Sequence, residues 1–283
     1  MVGVVGSADV RIAALQWDVR RADVDFNLAA ARGGLERARD LGVELVLLPE
    51  MWATSFPDAG DELLELERRA RAAAAELAQL AAQLQVDWAG SGLAFEGLDA
   101  GEVPGSLPAN RLELYAGGQR RLAYDKLHLF GPTAEDRVFR GGTRLPGTCA
   151  WRGLRLSGVV CYDLRFPEAT RAPFRDGAEL LLVPAQWPSP RAGQWRALVH
   201  GLAASGQCFV LACNRSGRER VARRGLELEF PGNSLIVGPG GETLAEGHGE
   251  SGLVVATIDP ALAREWQQRV PVRADLRPEI YGP

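Results

Sequence analysis

One apolar, strand-like segment guides the interpretation of this chain: LAYDKLHLF, residues 122–130. The chain contains 32 Lys and Arg residues, and Lys126 in this segment is the only lysine among them. A lysine ammonium is a compact charge whose pKa responds to its surroundings, whereas an arginine guanidinium stays protonated. A chain that uses arginine everywhere else is therefore expected to use Lys126 for a task that requires a primary amine. The alternative is an ordinary surface lysine, since lysine is seldom buried without a partner.

Two further apolar segments end next to residues of chemical interest. Residues 43–48 form a short, nearly continuous apolar run, which predicts a buried strand, and Glu50 follows it. Residues 155–160 predict another strand, which ends at Cys161. Ligands of open α/β sheets bind outside the carboxyl ends of the strands. Glu50, Lys126 and Cys161 are therefore expected to converge on one site.

These three side chains form a plausible set for nucleophilic catalysis. Cys161 is the candidate nucleophile, and the start of a helix after it would favour the thiolate. Glu50 would accept the thiol proton and later activate water, provided that burial raises its pKa. Lys126 and the backbone N–H of Tyr162 would stabilise an oxyanion, a contribution of about 3 kcal/mol for each donor. Taken singly, Cys161 could equally be a buried core thiol, and Glu50 a capping or ion-paired residue.

The order of predicted elements indicates a single α/β domain of layered sheets, because strands and helices alternate with pairs of strands between them. Helical periodicity and composition predict helices at 23–41, 61–85, 165–176, 190–205 and 260–268. A polar, Gly-rich loop is expected at 130–143, a charged and mobile segment at 216–227, and an irregular arm at 270–283.

Composition excludes several classes of function. With a net charge of −4 and a pI near 5.6, the chain of 283 residues has no basic field for nucleic acid. No apolar run is long enough to span a membrane, and residues 1–9 do not resemble a signal peptide, so the cytoplasm is the expected location. The cysteines show neither a C-x-x-C pair nor zinc-type spacing, and we expect free thiols at Cys149, Cys161, Cys208 and Cys213.

Three segments resemble the signature motifs of the nitrilase superfamily of carbon–nitrogen hydrolases: LLPEM (47–51), YDKLHLF (124–130) and CYDLRFPE (161–168). The resemblance extends from about residue 10 to residue 258. It implies a four-layer α-β-β-α sandwich that pairs into a homodimer or a higher homo-oligomer. The expected organisation is an N-terminal tail at 1–8, the hydrolase domain at 9–258, and a C-terminal helix and arm at 259–283.

The resemblance also implies roles for individual residues. The Glu–Lys–Cys triad of the superfamily corresponds to Glu50, Lys126 and Cys161, and no metal or organic cofactor is expected. A second glutamate of the superfamily corresponds to Glu135, which would hold Lys126 and orient the substrate. The alternative for Glu135 is a solvated loop charge.

Further segments look like those of the omega-amidases, which hydrolyse the terminal amide of 2-oxoglutaramate or 2-oxosuccinamate. These are residues 49–56, the Trp-Pro pair at 187–188 and residues 265–271, while residues 230–234 resemble a substrate-side loop of related amidases. The expected substrate is a small, carboxylate-bearing amide. The residues expected to bind it are Tyr162, Trp187, Arg165 and Asn233. Arg165, Arg137 and Arg215 are candidates to hold its carboxylate, although Arg165 could instead be a structural partner of Glu168.

Two departures from the superfamily pattern concern packing and pocket shape. Residues 202–206 read Leu-Ala-Ala-Ser-Gly where Arg-Ala-x-Glu-Asn is usual, and Gln186 replaces an Asn. Other reactions stay open at this point: hydrolysis of a nitrile or an N-carbamoyl amine on the same triad, or a non-catalytic binding role. A Cys–His hydrolase is a further alternative, with three candidate histidines: His128, His200 and His248.

Overall fold

The computed structural model describes residues 9–58, 62–95, 107–221 and 225–281. The predicted tail at residues 1–8 lies outside this range. The described residues form two six-stranded mixed sheets and a separate two-stranded sheet. None of the helices in these ranges has both the length and the apolar character needed to cross a bilayer.

The strands follow one another along the chain as β1 (Val10–Gln16), β2 (Leu45–Leu47), β3 (Asp87–Ala94), β4 (Ala109–Ala116), β5 (Gln119–Asp125), β6 (Cys149–Trp151), β7 (Leu154–Gly158), β8 (Leu180–Ala185), β9 (Phe209–Asn214), β10 (Ser216–Val221), β11 (Leu226–Pro231), β12 (Leu235–Val237), β13 (Thr243–Glu246) and β14 (Gly252–Ile258). The α-helices are α1 (Val24–Asp40), α2 (Leu63–Leu84), α3 (Pro167–Arg175), α4 (Ala192–Gly206), α5 (Pro260–Arg269) and α6 (Pro278–Tyr281).

The first sheet has the strand order β14-β1-β2-β3-β4-β5. Strands β1, β2 and β3 run parallel, and α1 and α2 make the crossover connections that parallel strands require. Both helices pack on one face of this sheet. On β1, Ala13 and Leu15 face these helices, while Ile12 and Ala14 face the opposite way, into the centre of the molecule. Burial of both faces explains why the strand is apolar at successive positions.

The second sheet has the order β13-β12-β9-β8-β7-β6 and is built in the same way. Strands β7, β8 and β9 are parallel, with α3 and α4 in their crossovers. Helix α3 starts at Pro167, a residue well suited to the first turn, so it begins two residues later than predicted. Residues 202–206, which depart from the superfamily pattern, form the last turn of α4, where Ala203 and Gly206 are buried.

The two sheets pack face to face through one apolar core. It joins side chains such as Ile12, Leu45 and Leu112 of the first sheet to Leu156 and Leu182 of the second. With helices on both outer faces, the architecture is the expected four-layer α-β-β-α sandwich, and this prediction is confirmed.

Within the segment at 216–227, which was expected to be charged and mobile, the described residues form strands, and residues 222–224 lie outside the described part of the chain. Strands β10 and β11 form an antiparallel hairpin, in which Arg218 lies opposite Glu229 and Arg220 opposite Glu227. The charges that suggested a solvated segment are therefore of opposite sign across the hairpin, a favourable cross-strand arrangement. The predicted irregular arm contains the short helix α6, and its residues 282–283 lie outside the described part of the chain.

Candidate active site

A cavity of about 450 Å³ opens where several strands of the two sheets end. Glu50 lies three residues after β2, Lys126 directly after β5, and Cys161 three residues after β7. All three line the cavity together with Glu135, which sits in a short 3₁₀ turn. The structure thus brings together in one cavity the four residues that the sequence analysis named as candidate catalytic residues.

Lys126 lies at the centre of a buried ionic cluster. Its Nζ is 2.9 Å from Oε1 of Glu50 and 2.9 Å from each carboxylate oxygen of Glu135. The side chain is only 1% exposed, so it is not a surface lysine. Burial acts to lower the pKa of Lys126, but the negative charges of Glu135 and Glu50 have the larger effect, and the net result is a raised pKa. The side chain is therefore an ammonium ion. Glu135 itself is held by the backbone N–H of Phe130, at 2.6 Å from Oε2.

Glu50 is fixed through both of its carboxylate oxygens. Oε1 accepts from Nζ of Lys126 and from Nδ2 of Asn110 at 2.8 Å. Oε2 accepts from the backbone N–H of Gln186 at 2.9 Å, and the Gln186 side chain donates to the carbonyl oxygen of Glu50 at 2.8 Å. The carboxylate is therefore held in one orientation before any substrate enters.

Cys161 occupies a strained backbone conformation at the start of the 3₁₀ turn Cys161–Arg165. Its φ of 47° lies in the left-handed region, which residues other than glycine seldom adopt and which is frequent at functional sites. Helix α3 begins only at Pro167, so the expected effect of a helix start directly after the thiol is not present.

The surroundings of the Cys161 thiol favour its protonated form. Burial raises its pKa well above the usual value, and the charge of Glu50 adds to this, whereas Lys126 and the backbone N–H of Gln186 act in the opposite direction. The thiol lies in the same cavity as the Glu50 carboxylate and the Lys126 ammonium. A carboxylate fixed against a protonated thiol can act as its base, and the neighbouring ammonium can stabilise negative charge on a substrate oxygen.

Tyr162, Trp187 and Arg165 also line the cavity, as the resemblance implied. The Arg165 guanidinium lies 4.8 Å from the ring centroid of Trp187 and 6.0 Å from that of Tyr162. Its Nη2 donates to Oε1 of Gln194 at 2.5 Å. Gln194 is therefore a structural partner of Arg165, the role that had been considered for Glu168. Asn233 is not among the residues that line the cavity, and its carbonyl oxygen accepts from the indole N–H of Trp195 at 2.7 Å.

Arg137 and Arg191 line the cavity together with Arg165. The Arg191 guanidinium lies 5.5 Å from the centroid of the Phe130 ring. Within the described residues, none of these three guanidinium groups has a carboxylate within the 4.0 Å of an ion pair. In the part of the chain that the structure describes, the charge of these guanidinium groups is therefore not compensated by an ion pair.

Arg215, the third candidate for a substrate carboxylate, is committed elsewhere. It is 1% exposed and does not line the cavity. Its Nη2 is 2.8 Å from Oδ1 of Asp18, and its Nη1 donates to Glu219 and, at 3.0 Å, to Oε1 of Gln186. The guanidinium also lies 4.5 Å from the ring centroid of Phe230. Arg215 thus anchors the hairpin of β10 and β11, which forms one wall of the cavity.

None of the chain's three histidines lines the cavity. Nδ1 of His128 is 2.8 Å from Oδ1 of Asp163, and its ring stacks on Phe166 with centroids 3.6 Å apart. Nδ1 of His200 is 2.8 Å from the carbonyl oxygen of Gly241. This geometry does not support the Cys–His alternative. In the described ranges, no group of three or more His, Cys, Asp or Glu side chains is arranged to hold a metal ion.

Residues 11–268 match the carbon-nitrogen hydrolase family. The chain belongs to this family. As a carbon–nitrogen hydrolase of the nitrilase superfamily, it is an enzyme that acts on non-peptide C–N bonds, as its motifs implied.

Known carbon–nitrogen hydrolases similar to this one include two amidases. The 2-oxoglutaramate amidase of Bacillus subtilis (strain 168) is 32% identical over 271 residues, which cover 95% of this chain and 98% of that protein. The omega-amidase YafV of Escherichia coli (strain K12) is 31% identical over 239 residues, with 83% and 84% covered.

A solved structure of an amidase from Nesterenkonia sp. AN1 is also similar. It is a mutant that shows covalent addition of the acetamide moiety of fluoroacetamide at the active site cysteine. The TM-score is 0.79 at 27% identity, and the similarity covers 97% of this chain and 100% of that one.

Two residues that hold Glu50 were not predicted as members of the site, and neither was Arg191 of the cavity lining. Asn110 binds Glu50, yet it lies in β4 within a run with no motif, so its sequence context carried no signal. Gln186 had been noted only for replacing an Asn, although its backbone and side chain both bind Glu50.

Proposed function

We propose that this hydrolase is an omega-amidase-like enzyme that converts a small, carboxylate-bearing amide to the acid and ammonia through a Cys161 thioester. The observation that carries this proposal is the buried cluster of Glu50, Lys126 and Glu135 beside the Cys161 thiol at the base of one cavity. It combines a nucleophile, a fixed base and a cation, which are the groups that acyl transfer needs.

In the first half-reaction, Sγ of Cys161 attacks the amide carbon while its proton passes to Glu50. The carbonyl oxygen becomes an oxyanion, held by the ammonium of Lys126 and by the backbone N–H of Tyr162. The intermediate then collapses, the C–N bond breaks, and Glu50 returns the proton to the departing nitrogen. Ammonia leaves and a thioester remains.

In the second half-reaction, Glu50 takes a proton from a water molecule, and the resulting hydroxide adds to the thioester carbon. The C–S bond breaks when this second intermediate collapses, and the sulfur recovers a proton from Glu50. The overall reaction is the addition of water to the amide to give the acid and ammonia. Glu135 keeps Lys126 charged and in place throughout, since it binds Nζ with both carboxylate oxygens.

The charge of the cavity supports a substrate that carries a carboxylate. Arg137, Arg165 and Arg191 all line the cavity, and among the described residues none of their guanidinium groups has a carboxylate within 4.0 Å. Guanidinium groups bind carboxylates through two parallel hydrogen bonds. Two similar proteins are named as amidases of 2-oxoglutaramate or as omega-amidases, which points to the same class of substrate.

The test is ammonia release by the purified protein from 2-oxoglutaramate, with Cys161→Ala measured beside it. We expect release by the wild type and none by the variant. Butyramide, which lacks the carboxylate, serves as the matched substrate, and Arg165→Gln should raise KM for 2-oxoglutaramate more than for butyramide. No release from a folded protein would reject the omega-amidase assignment. Nitriles and N-carbamoyl amines would then be screened for a mass increase on Cys161.

We also propose that the enzyme forms a homodimer or a higher homo-oligomer, as the superfamily resemblance implies, and that it works in the cytoplasm, the location expected from its sequence. Light scattering coupled to gel filtration measures the oligomeric state. Fractionation of the source cells measures the location.

A further inference from the structure

Asp163 is a buried carboxylate that accepts four hydrogen bonds two residues after Cys161. Oδ1 accepts from the backbone N–H of His128 at 3.0 Å and lies 2.8 Å from its ring Nδ1. Oδ2 accepts from the phenol of Tyr124 at 2.8 Å and from the backbone N–H of Val160 at 3.2 Å. Asp163 does not line the cavity, so it is not placed to touch a substrate.

The positions of these donors are informative. Tyr124 and His128 lie two residues before and two residues after Lys126, in the segment that ends β5 of the first sheet. Val160 directly precedes Cys161, in the loop that follows β7 of the second sheet. One carboxylate therefore ties both flanks of the lysine to the turn that carries the thiol.

Most of the contact between the two sheets is apolar. Apolar packing is not directional, whereas hydrogen bonds fix both distance and angle. A charged acceptor makes the stronger kind of hydrogen bond. Asp163 thus supplies directional contacts between the sheets at the place where the reacting groups meet.

We propose that Asp163 is a positioning residue that sets the distance between the Lys126 ammonium and the Cys161 thiol. This inference rests on the proposed function of those two groups. The need for such a residue follows from the geometry, because the left-handed backbone of Cys161 is strained and must be held by its surroundings. A displacement of about 1 Å at a reacting centre can lower the rate about 100-fold.

The donors to Asp163 are suited to a permanent role. Burial, followed by the negative charge of Asp163, raises the pKa of Tyr124 far above its usual value, so the phenol keeps its proton and remains a donor. The backbone N–H groups of His128 and Val160 cannot be titrated. The connection is therefore expected to persist over the working pH range of the enzyme.

The test uses Asp163→Asn and Tyr124→Phe, with Tyr115→Phe as the matched control. Tyr115 lies on neighbouring β4, and its phenol donates to Oε2 of Glu113 at 3.1 Å, away from the cavity. Two quantities are measured on the folded proteins: kcat and KM for the amide, and the rate at which iodoacetamide alkylates Cys161 as a function of pH. Circular dichroism and Tm report on folding.

If Asp163 positions the two groups, both test variants lower kcat by about 10- to 100-fold with KM changed less than threefold. The alkylation midpoint should also move to higher pH, because the thiolate loses the nearby ammonium. Tyr115→Phe should match the wild type in both. A fall in Tm with an unchanged midpoint would overturn the proposal, and Tyr124→Phe alone decides the matter if Asp163→Asn does not fold. Alkylation requires no substrate, so a moved midpoint in a protein that hydrolyses no amide would reject the proposed function but retain this inference.

Discussion

At the scale of single residues, one buried cation faces two carboxylates and a thiol. Glu50, Lys126 and Glu135 are 0%, 1% and 3% exposed. Burial raises the pKa of Glu135, although the adjacent Lys126 acts against this. The cluster carries one more negative than positive charge when both carboxylates are ionised, which disfavours a further anion. The free enzyme therefore disfavours ionisation of the Cys161 thiol. When a substrate is bound, the negative charge that forms during attack moves onto the carbonyl oxygen of the amide.

Glu50→Gln should change hydrolysis and thiol reactivity in opposite directions. The amide cannot accept the thiol proton, so we expect amide hydrolysis to fall by about 100-fold or more, the usual range for loss of a general base. Next to burial, the charge of Glu50 is the largest contribution that raises the pKa of Cys161. The variant removes this charge and leaves Lys126 balanced by Glu135 alone, so that pKa should fall. Iodoacetamide should then alkylate Cys161 faster at neutral pH than in the wild type.

The control is the double variant Glu50→Gln with Cys161→Ala. It should show no fast alkylation, because the reacting thiol is absent. Slower alkylation of Glu50→Gln than of the wild type would contradict the assigned electrostatics.

The sequence could predict some of these residues and not others for a physical reason. Glu50, Lys126 and Cys161 each follow an apolar strand, and such a strand can be predicted from a short run of apolar residues in the sequence. Asn110 and Gln186 become neighbours of Glu50 only through the fold, across 60 and 136 positions of the chain. No local pattern encodes a partner at that distance, so their roles emerge only from the folded molecule.

At the scale of elements, the hairpin of β10 and β11 is held to the body of the protein by one buried guanidinium. Arg215 joins Asp18, Gln186 and Glu219, and Glu219 also accepts from the hydroxyl of Ser55. Gln186 in turn binds Glu50, so the cavity wall and the base share a hydrogen-bond network. The charges of this stretch are thus met partly across the hairpin and partly, at Glu219, by a residue that is remote in sequence.

Arg215→Met should loosen this wall. Removing one partner of a buried ion pair leaves the other charge uncompensated, which costs about 3–5 kcal/mol, and the Glu219 side chain is only 12% exposed. We expect the free energy of unfolding, measured by urea titration, to fall by about 3 kcal/mol, and KM for the amide to rise because Phe230 loses its support.

Arg218→Met is the matched control on the same hairpin. Its contact with Glu229 is 3.7 Å long, and both side chains are more than 60% exposed, at 68% and 61%. Such a surface pair contributes less than about 1 kcal/mol. Equal destabilisation by the two variants would argue against Arg215 as the anchor.

At the scale of the whole molecule, the distance between the two sheets is limited by Gly158. A Cβ atom at this position would lie 2.4 Å from Cδ2 of Leu112 on the first sheet and 3.0 Å from the carbonyl oxygen of Leu182. The absence of a side chain thus allows the sheets to approach three residues before Cys161. Close packing of the layers and placement of the thiol depend on the same residue.

Gly158→Ala should therefore separate the sheets locally. Overpacking of a close-packed core costs about 1–3 kcal/mol, and we expect a loss of that size in the free energy of unfolding. We also expect a lower kcat, because the thiol lies only three residues beyond the displaced strand. Gly92→Ala on β3 is the control, since a Cβ atom there meets nothing within 4 Å. If Gly158→Ala is destabilised but keeps the kcat of the wild type, catalysis does not depend on the spacing of the sheets, and this prediction is wrong.

The pairing of β1 with β14 has a consequence for how the enzyme is made. These strands come from opposite ends of the described chain, in antiparallel register from Val10 with Ile258 to Gln16 with Gly252. On the ribosome, the free edge of β1 has no partner until residues near 258 have emerged, and an unpaired edge invites contact with other chains. The nucleophile is translated long before that edge is closed. During the interval between the two events, the growing polypeptide therefore exposes a strand edge at which other chains could pair.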